Sequence, residues 1–484
     1  MFVGRKEEIY LLKEQYKNKK SSILLYGKRR VGKTTLLKES FKYFDGKVFY
    51  YECVKGSLDE NLNNVLSYLK TNGFIENYLS FMTWYDMFSY FSNKHQKILF
   101  VIDEYCYLKT FENEEYVDSI FQKIIDSFDN IQIVLSGSHI SMMKSLLNSK
   151  NALYGRFSLI INLKEFNYLE ASNFYNYLNV NDKIAFYSIF GGSPFVNAQI
   201  EFDKGIEYNI KKYILNKFSS INAYIDSIIN LDLHSLVNSQ RILSVLGNGR
   251  NKYNEIEQKL LMKANGLLSK HLKILLDLEI LKKVYSINKK DDTKKMYYEI
   301  NDNILRFYYA FVYKNKASLE LIGIDSYYDL YIKNELKHFI SRRFEDIVKQ
   351  YFSLKVKKRE IQDVYDIGIM YYDDSINKKN GEFDCVLKHK ETYSIYEVKY
   401  LSKPIDAKDI MVEMKKIFAI PNIKINKIGL VSSSGFSDCK IDNIETISGY
   451  ELYENKNNYN DIDIEYLHLE ENEIEYIDKD KYLI

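Results

Sequence analysis

Apolar and polar positions along the N-terminal third alternate between two periods. Short continuous apolar runs at 22–26, 47–51, 98–102, 131–135 and 158–162 predict strands buried on both faces. The segments between them, such as Thr35 to Phe41, repeat apolar positions at helical spacing. An amphipathic segment, Ile9 to Tyr16, precedes the first strand. Strands alternating with helices predict an α/β unit with a parallel sheet. From about 235 the pattern changes to three short helices (242–246, 253–261 and 266–276), then two strands at 284–286 and 296–300 joined by a polar segment, 288–295. The aromatic stretch 304–312 reads as packing and linkage. Strand character returns beyond 340: an antiparallel hairpin at 382–387 and 392–399 turning at His389-Lys390-Glu391, a helix over 405–418, and a buried strand at 427–431. The expected divisions are 1–190, 191–234, 235–302, 303–339 and 340–484.

Chemistry enters where the first strand meets its helix. Gly27-Lys28-Arg29-Arg30-Val31-Gly32-Lys33-Thr34 is a complete GxxxxGKT loop in the strand, loop, helix order that phosphate binding requires. The glycines let backbone N–H groups and the helix start face one phosphate chain. Lys33 adds a point charge, Thr34 offers its hydroxyl to Mg²⁺, and Thr35 follows at the helix start. The third apolar run ends in Asp103-Glu104, two carboxylates at the C-terminal edge of a parallel sheet. In an ATP site Asp103 would hold Mg²⁺ and Glu104 would polarise the attacking water. The fourth run ends in Ser136-Gly137-Ser138. Ser136 is the first choice for a hydroxyl at the γ-phosphate and Ser138 the second; the competing reading is a helix cap. Arg156 is either an arginine finger, acting in cis or toward a second copy in a homo-oligomer, or a surface ion-pair partner.

Composition narrows the picture only modestly. A chain of 484 residues is too long for one core. With a net charge of +2, any nucleic-acid footprint has to be a local patch. Cys53, Cys106, Cys385 and Cys439 are far apart, which argues against disulfides and structural zinc. No window approaches the length of a membrane span and the start is charged, so the expected location is the cytoplasm, with no membrane partner.

Phe2-Val3-Gly4-Arg5-x-x-Glu8, the glycine loop, Ile102-Asp103-Glu104, Ser136-Gly137-Ser138, Tyr154-Gly155-Arg156-Phe157 and Gly191-Gly192-Ser193-Pro194 together resemble the ATPase family found predominantly in archaea, related to AAA+ and STAND ATPases. The likeness covers about residues 1–230. It implies ATP and Mg²⁺ as cofactors, a five-stranded sheet with the phosphate-loop strand central, and a small helical lid. It also implies an adenine contact near Val3, Gly4 and Arg5, with Pro194 close to the nucleotide.

The 235–302 pattern matches a winged helix-turn-helix layout whose third helix would expose Ser269, Lys270 and Lys273 to DNA; a solvated face or a protein contact is the bland alternative. In the C-terminal third, Asp384 sits on one hairpin strand and Glu397 on the other, with Lys399 on the same strand face as Glu397. Two carboxylates and a lysine on one face can hold a divalent metal and stabilise a pentavalent phosphate. Glu345, on a preceding helix, would bring a third carboxylate. The pattern resembles the PD-(D/E)XK restriction-endonuclease-like superfamily. That likeness assigns the metal to Asp384 and Glu397, less directly to Glu345, and transition-state support to Lys399. Phe383 stands where that superfamily often has proline.

The sequence therefore predicts a parallel P-loop sheet with helical lid, a winged-helix module and a restriction-endonuclease-like α/β domain. Its leading function is ATP-gated, metal-dependent cleavage of DNA. The rival is an ATP-driven switch that binds DNA or protein and carries the nuclease-like domain as a scaffold; a weaker third reading is a toxin-like nuclease held off by ATP. The acidic tail at 461–475 would repel DNA wherever exposed.

Overall fold

The computed structural model describes residues 2–94, 97–233, 237–261, 266–289, 296–374, 379–418, 423–437 and 443–454. Cys439, Pro421, the acidic tail and most of the 288–295 segment lie outside these residues. Strands β1 (Ser21–Tyr26), β2 (Lys47–Glu52), β3 (Ile98–Asp103), β4 (Ile131–Gly137) and β5 (Leu159–Asn162) form a parallel sheet in the order β2-β3-β4-β1-β5. β1, β3 and β4 are buried along their whole length, which is why their sequences are continuous apolar runs. β4 lies between β1 and β3, so the tips carrying the glycine loop and Asp103 flank it. The central strand is β4, not β1 as the family likeness implied, because only the short β5 lies beyond β1.

Helix Val180–Phe190 leads into the Gly-Gly-Ser-Pro element and the short helix Pro194–Asn197. An added Cβ at Gly192 would stand 1.8 Å from the Phe166 carbonyl oxygen, and the Phe166 N–H donates to the Gly192 carbonyl (3.0 Å). Only glycine lets this turn press against the segment after β5. Next come helix Val237–Leu246, β6 (Asn251–Lys252), helices Tyr253–Leu260 and Leu267–Asp277, β7 (Leu281–Val284) and β8 (Tyr297–Ile300). The three strands make an antiparallel sheet in the order β6-β8-β7. The expected hairpin is present, but its first strand ends at Val284. Ser286 instead bridges Ile369 in the C-terminal domain, its hydroxyl accepting from the Tyr371 N–H (2.7 Å).

The 25-residue helix Lys333–Lys357 opens the C-terminal domain. β9 (Asp366–Asp374), β10 (Lys379–Lys388) and β11 (Tyr393–Lys399) follow as an antiparallel meander. Helix Ala407–Phe418 then crosses over to β12 (Ile425–Ser432), parallel to β11, and β13 (Ile444–Ser448) pairs parallel with β12. The sheet order is β13-β12-β11-β10-β9.

One hydrophobic core runs from Phe166 through helices Val180–Phe190 and Pro194–Asn197, the middle module and the long helix to Cys385, Tyr396, Val398 and Leu452. The opposite face of the last sheet has its own core under helix Ala407–Phe418, with Phe383, Ile395, Ile410 and Met414. The Tyr168 hydroxyl, buried, donates to the Leu452 carbonyl across that continuous core (2.7 Å). Tyr168→Phe is expected to lower stability by about 1 kcal/mol in urea denaturation; an unchanged midpoint would mean that this contact between distant parts of the chain adds nothing.

Candidate functional site

The glycine loop closes on helix Lys33–Ser40, entered through Gly32 at φ 92°, a left-handed conformation that favours glycine. Lys33, 6% exposed, donates through Nζ to the Gly27 and Lys28 carbonyls (both 3.0 Å), and burial lowers its pKa. The Thr34 hydroxyl donates to Asp103 Oδ2 (2.8 Å) and the Tyr50 hydroxyl donates to the same oxygen (2.7 Å), while the Glu104 N–H donates to Oδ1 (3.0 Å). Asp103 is buried. Glu104, at φ 52°, turns its Oε2 to the Ser138 N–H (3.1 Å) and hydroxyl (2.9 Å). Hard oxygen donors from Thr34 and Asp103, beside a lysine and a glycine loop opening on a helix N-terminus, fit Mg²⁺ and a phosphate chain.

Ser138, the second choice from sequence, is thus the serine that touches Glu104. Ser136 is wholly buried; it shares its strand face with Val134, and so the face on which Asp103 lies, and its hydroxyl has no hydrogen-bond partner among the described residues. Arg156 makes the surface ion pair that the sequence offered as one of its two readings: its Nε donates to both Asp126 oxygens (3.0 and 3.1 Å) and its Nη1 to the Ala152 and Tyr154 carbonyls (2.8 and 3.3 Å). With its guanidinium so occupied, it is held against helix Glu114–Ser127.

Around the loop, Arg5 Nη2 donates to the Val31 (3.1 Å) and Lys164 (2.6 Å) carbonyls, and its guanidinium stacks 4.3 Å over Phe166. Val3 and Gly4 are half-buried just before it, and Val31 is buried. Pro194 comes to 3.8 Å of where a Gly32 Cβ would be. Arg29 reaches the Tyr107 hydroxyl (3.4 Å), and Arg30 lies 3.8 Å over Phe195 of helix Pro194–Asn197; Thr35 faces solvent. Lys28 turns the other way, 3.5 Å from Asp302 Oδ2.

In the C-terminal domain a bulge in β10 opposes Asp384 and Cys385 to one residue of β9. That extra residue re-aims Asp384, whose Oδ2 accepts from the Val398 N–H (3.1 Å). Tyr396 and Val398 pack under the long helix, so Glu397 and Lys399 alternate to the other face. There Lys399 Nζ lies 3.4 Å from Glu397 and 3.3 Å from Glu413 of helix Ala407–Phe418. Glu345 comes from the long helix. Burial and the Asp384 charge push Glu345 up to about 8 and Glu397 up to about 7, and burial raises Asp384 itself. The Asp384 charge is thus felt by both Glu345 and Glu397. Among the described residues no three Asp, Glu, His or Cys side chains form a metal-holding group, so the expected convergence of Glu345, Asp384 and Glu397 is not realised. Asp384 and Glu397 alone fit Mg²⁺, which keeps several waters and takes one or two carboxylates.

The exposed positions of helix Leu267–Asp277 include Ser269, Lys270 and Lys273, as the spacing predicts. Sequence reasoning missed Tyr50, Asp302 and Arg306. Strand alternation could have placed Tyr50 on the loop-helix face beside Asp103, but no spacing rule links 28 to 302.

Residues 2–197 match the family model described as an ATPase domain predominantly from Archaea, and residues 308–410 match one described as archaeal and bacterial proteins of unknown function. The N-terminal part is thus similar to that ATPase domain. An uncharacterized protein of Methanocaldococcus jannaschii is 26% identical over 359 residues, covering 72% of this chain and 77% of its own. An uncharacterized ATP-binding protein of the same organism is 55% identical over 40 residues, 8% of this chain and 68% of its own. Among solved structures, the Walker-type ATPase of Pyrococcus abyssi is similar at 17% identity, with a TM-score of 0.48 over 64% of this chain and 96% of that one. Among the described residues no helix is long and apolar enough to cross a membrane.

Ser138→Ala removes the hydroxyl that holds Glu104. Steady-state kinetics should show kcat for ATP hydrolysis falling by about tenfold or more with little change in KM; an unchanged kcat would make Ser138 a bystander.

Proposed function

We propose that the chain hydrolyses ATP at the Gly27–Thr34 loop and uses the nucleotide state to govern metal-dependent phosphodiester cleavage of DNA by its C-terminal domain. The observation that carries the first half is the Thr34, Asp103 and Glu104 constellation at the tips of β1 and β3, the two strands that flank β4. Thr34 and Asp103 would hold Mg²⁺, which when bound neutralises phosphate charge. Lys33 exchanges the Gly27 and Lys28 carbonyls for phosphate oxygens. Glu104, released from Ser138 or aimed by it, orients the attacking water and takes up its proton.

The cleavage reading is supported by the order of elements: a long helix, three antiparallel strands, a crossover helix and a parallel strand, with Asp384 on a bulge beside Glu397. Asp384 and Glu397 would hold Mg²⁺ to activate water, and Lys399 would meet the charge developing on the phosphate. The exposed lysines of helix Leu267–Asp277 supply a backbone-binding face for the duplex. The second reading, a regulatory switch with an inert scaffold, is favoured by one observation: Lys399 is already ion-paired with Glu397 and Glu413.

Cleavage of linear and supercoiled DNA with Mg²⁺ or Mn²⁺, with and without ATP, separates the two. Asp384→Ala is expected to abolish cleavage while leaving ATP hydrolysis intact, and Lys33→Ala to remove the ATP dependence. ATP hydrolysis with no cleavage by the wild type under any of these conditions would favour the switch.

A further inference from the structure

Lys28 is the loop residue that leaves the phosphate side and enters the middle of the molecule. Its Nζ lies 3.5 Å from Asp302 Oδ2, and that carboxylate is only 3% exposed. Burial works against the Lys28 charge, but Asp302, Glu165 and Glu279 outweigh it and raise its pKa. Asp302 also acts as a helix cap, its Oδ1 accepting from the Leu305 N–H (3.1 Å) at the start of the helical turn Asn303–Phe307. In that same turn Arg306, 3% exposed, donates through Nε to the Ile300 carbonyl (2.8 Å) and through Nη1 to Asp346 Oδ2 (3.1 Å), and its Nη2 lies 3.3 Å from Glu299. Asp346 follows Glu345 directly on helix Lys333–Lys357. Thus one turn holds the phosphate loop at one end and the helix bearing Glu345 at the other.

Two features let this contact act as a switch rather than a static bolt. A cavity of about 360 Å³ opens at the junction, bordered by Lys28, Glu165, Lys282, Asn303, Asp346 and Gln350, so side chains there can exchange partners without repacking the core. Lys282 also stands 3.5 Å from Asp346 and 3.6 Å from Glu299, offering Asp346 an alternative cation. A triphosphate on the loop carries negative charge that competes with Asp302 for Lys28.

We propose that Asp302 and Arg306 are positioning residues that pass the phosphate-loop state to the helix carrying Glu345, through competition between nucleotide phosphate and Asp302 for Lys28. This rests on the nucleotide-gated reading above and names the residues that carry it. The bistable element is the Asn303–Phe307 turn, biased from one side by Lys28 and from the other by Asp346.

Asp302→Asn keeps the helix cap and removes the charge that holds Lys28. The test is hydrogen–deuterium exchange of residues 333–357 in the full chain, with and without a non-hydrolysable ATP analogue plus Mg²⁺, together with the affinity for that analogue. In the wild type the analogue should change exchange along the helix. The Asp302→Asn protein should bind the analogue about fivefold or more tightly, because a competitor for Lys28 is gone, yet lose the exchange response. A merely structural role would weaken binding instead, and that result overturns the relay. So does a variant that keeps the full exchange response, which leaves the gated reading standing. A wild type whose helix ignores the analogue defeats the gated reading itself, and the relay with it. Where Asp302→Asn does not fold, Asp346→Asn at the far end decides: loss of the response supports the relay, and its retention overturns it.

Discussion

Arg306 is a cation that the fold cannot leave alone. It is buried between β8 and the long helix, and a guanidinium taken out of water without partners is severely destabilising. Its partners therefore fix the arrangement: Glu299 on β8, the carbonyl at the end of that strand, and Asp346 on the long helix. Arg343 from that helix also approaches Glu299 (3.2 Å), so two arginines and two carboxylates bind the middle module to the C-terminal domain. Burial opposes the charge on Asp346, but Lys282, Lys349 and Arg343 outweigh it and hold its pKa well below the usual carboxylate range.

The same junction ties in the ATPase domain. Glu279, between helix Leu267–Asp277 and β7, accepts from Lys144 (2.9 Å) and Asn162 (3.0 Å) and pairs with Lys164, all in the N-terminal unit. Arg250 pairs with Glu382, two positions before Asp384, and Ser286 bridges to β9. The middle module is thus clamped between the phosphate loop and the strand that carries Asp384, and the hydrophobic core runs through it without a break. A change at one end of such a block is resisted or transmitted, not absorbed.

Much of this was legible in the sequence, and for physical reasons. The ATPase sheet declared itself because strands buried on both faces need continuous apolar runs, and the GxxxxGKT loop because its glycines admit few substitutes. The β10–β11 hairpin and helix Ala407–Phe418 followed from period. What escaped notice depends on distance in sequence rather than pattern. Ser138 and not Ser136 meets Glu104 because β4 runs on past its apolar run to Gly137 and keeps Ser136 buried within it; Arg156 meets Asp126 because helix Glu114–Ser127 lies beside it. Each of the carboxylates Glu345, Asp384 and Glu397 was found, but the bulge that sets the direction of Asp384 leaves no trace in the apolar period. Strands β6, β9 and β13 are too short or too mixed in character to be seen alone.

The continuity of that block is the claim on which the rest depends, and scanning calorimetry of the full chain with and without Mg²⁺ and ATP tests it most directly. A single cooperative transition, moved upward as a whole by nucleotide, is expected of one core shared from the lid to the C-terminal domain. Two separate transitions, with nucleotide moving only the one that belongs to the ATPase domain, would contradict it.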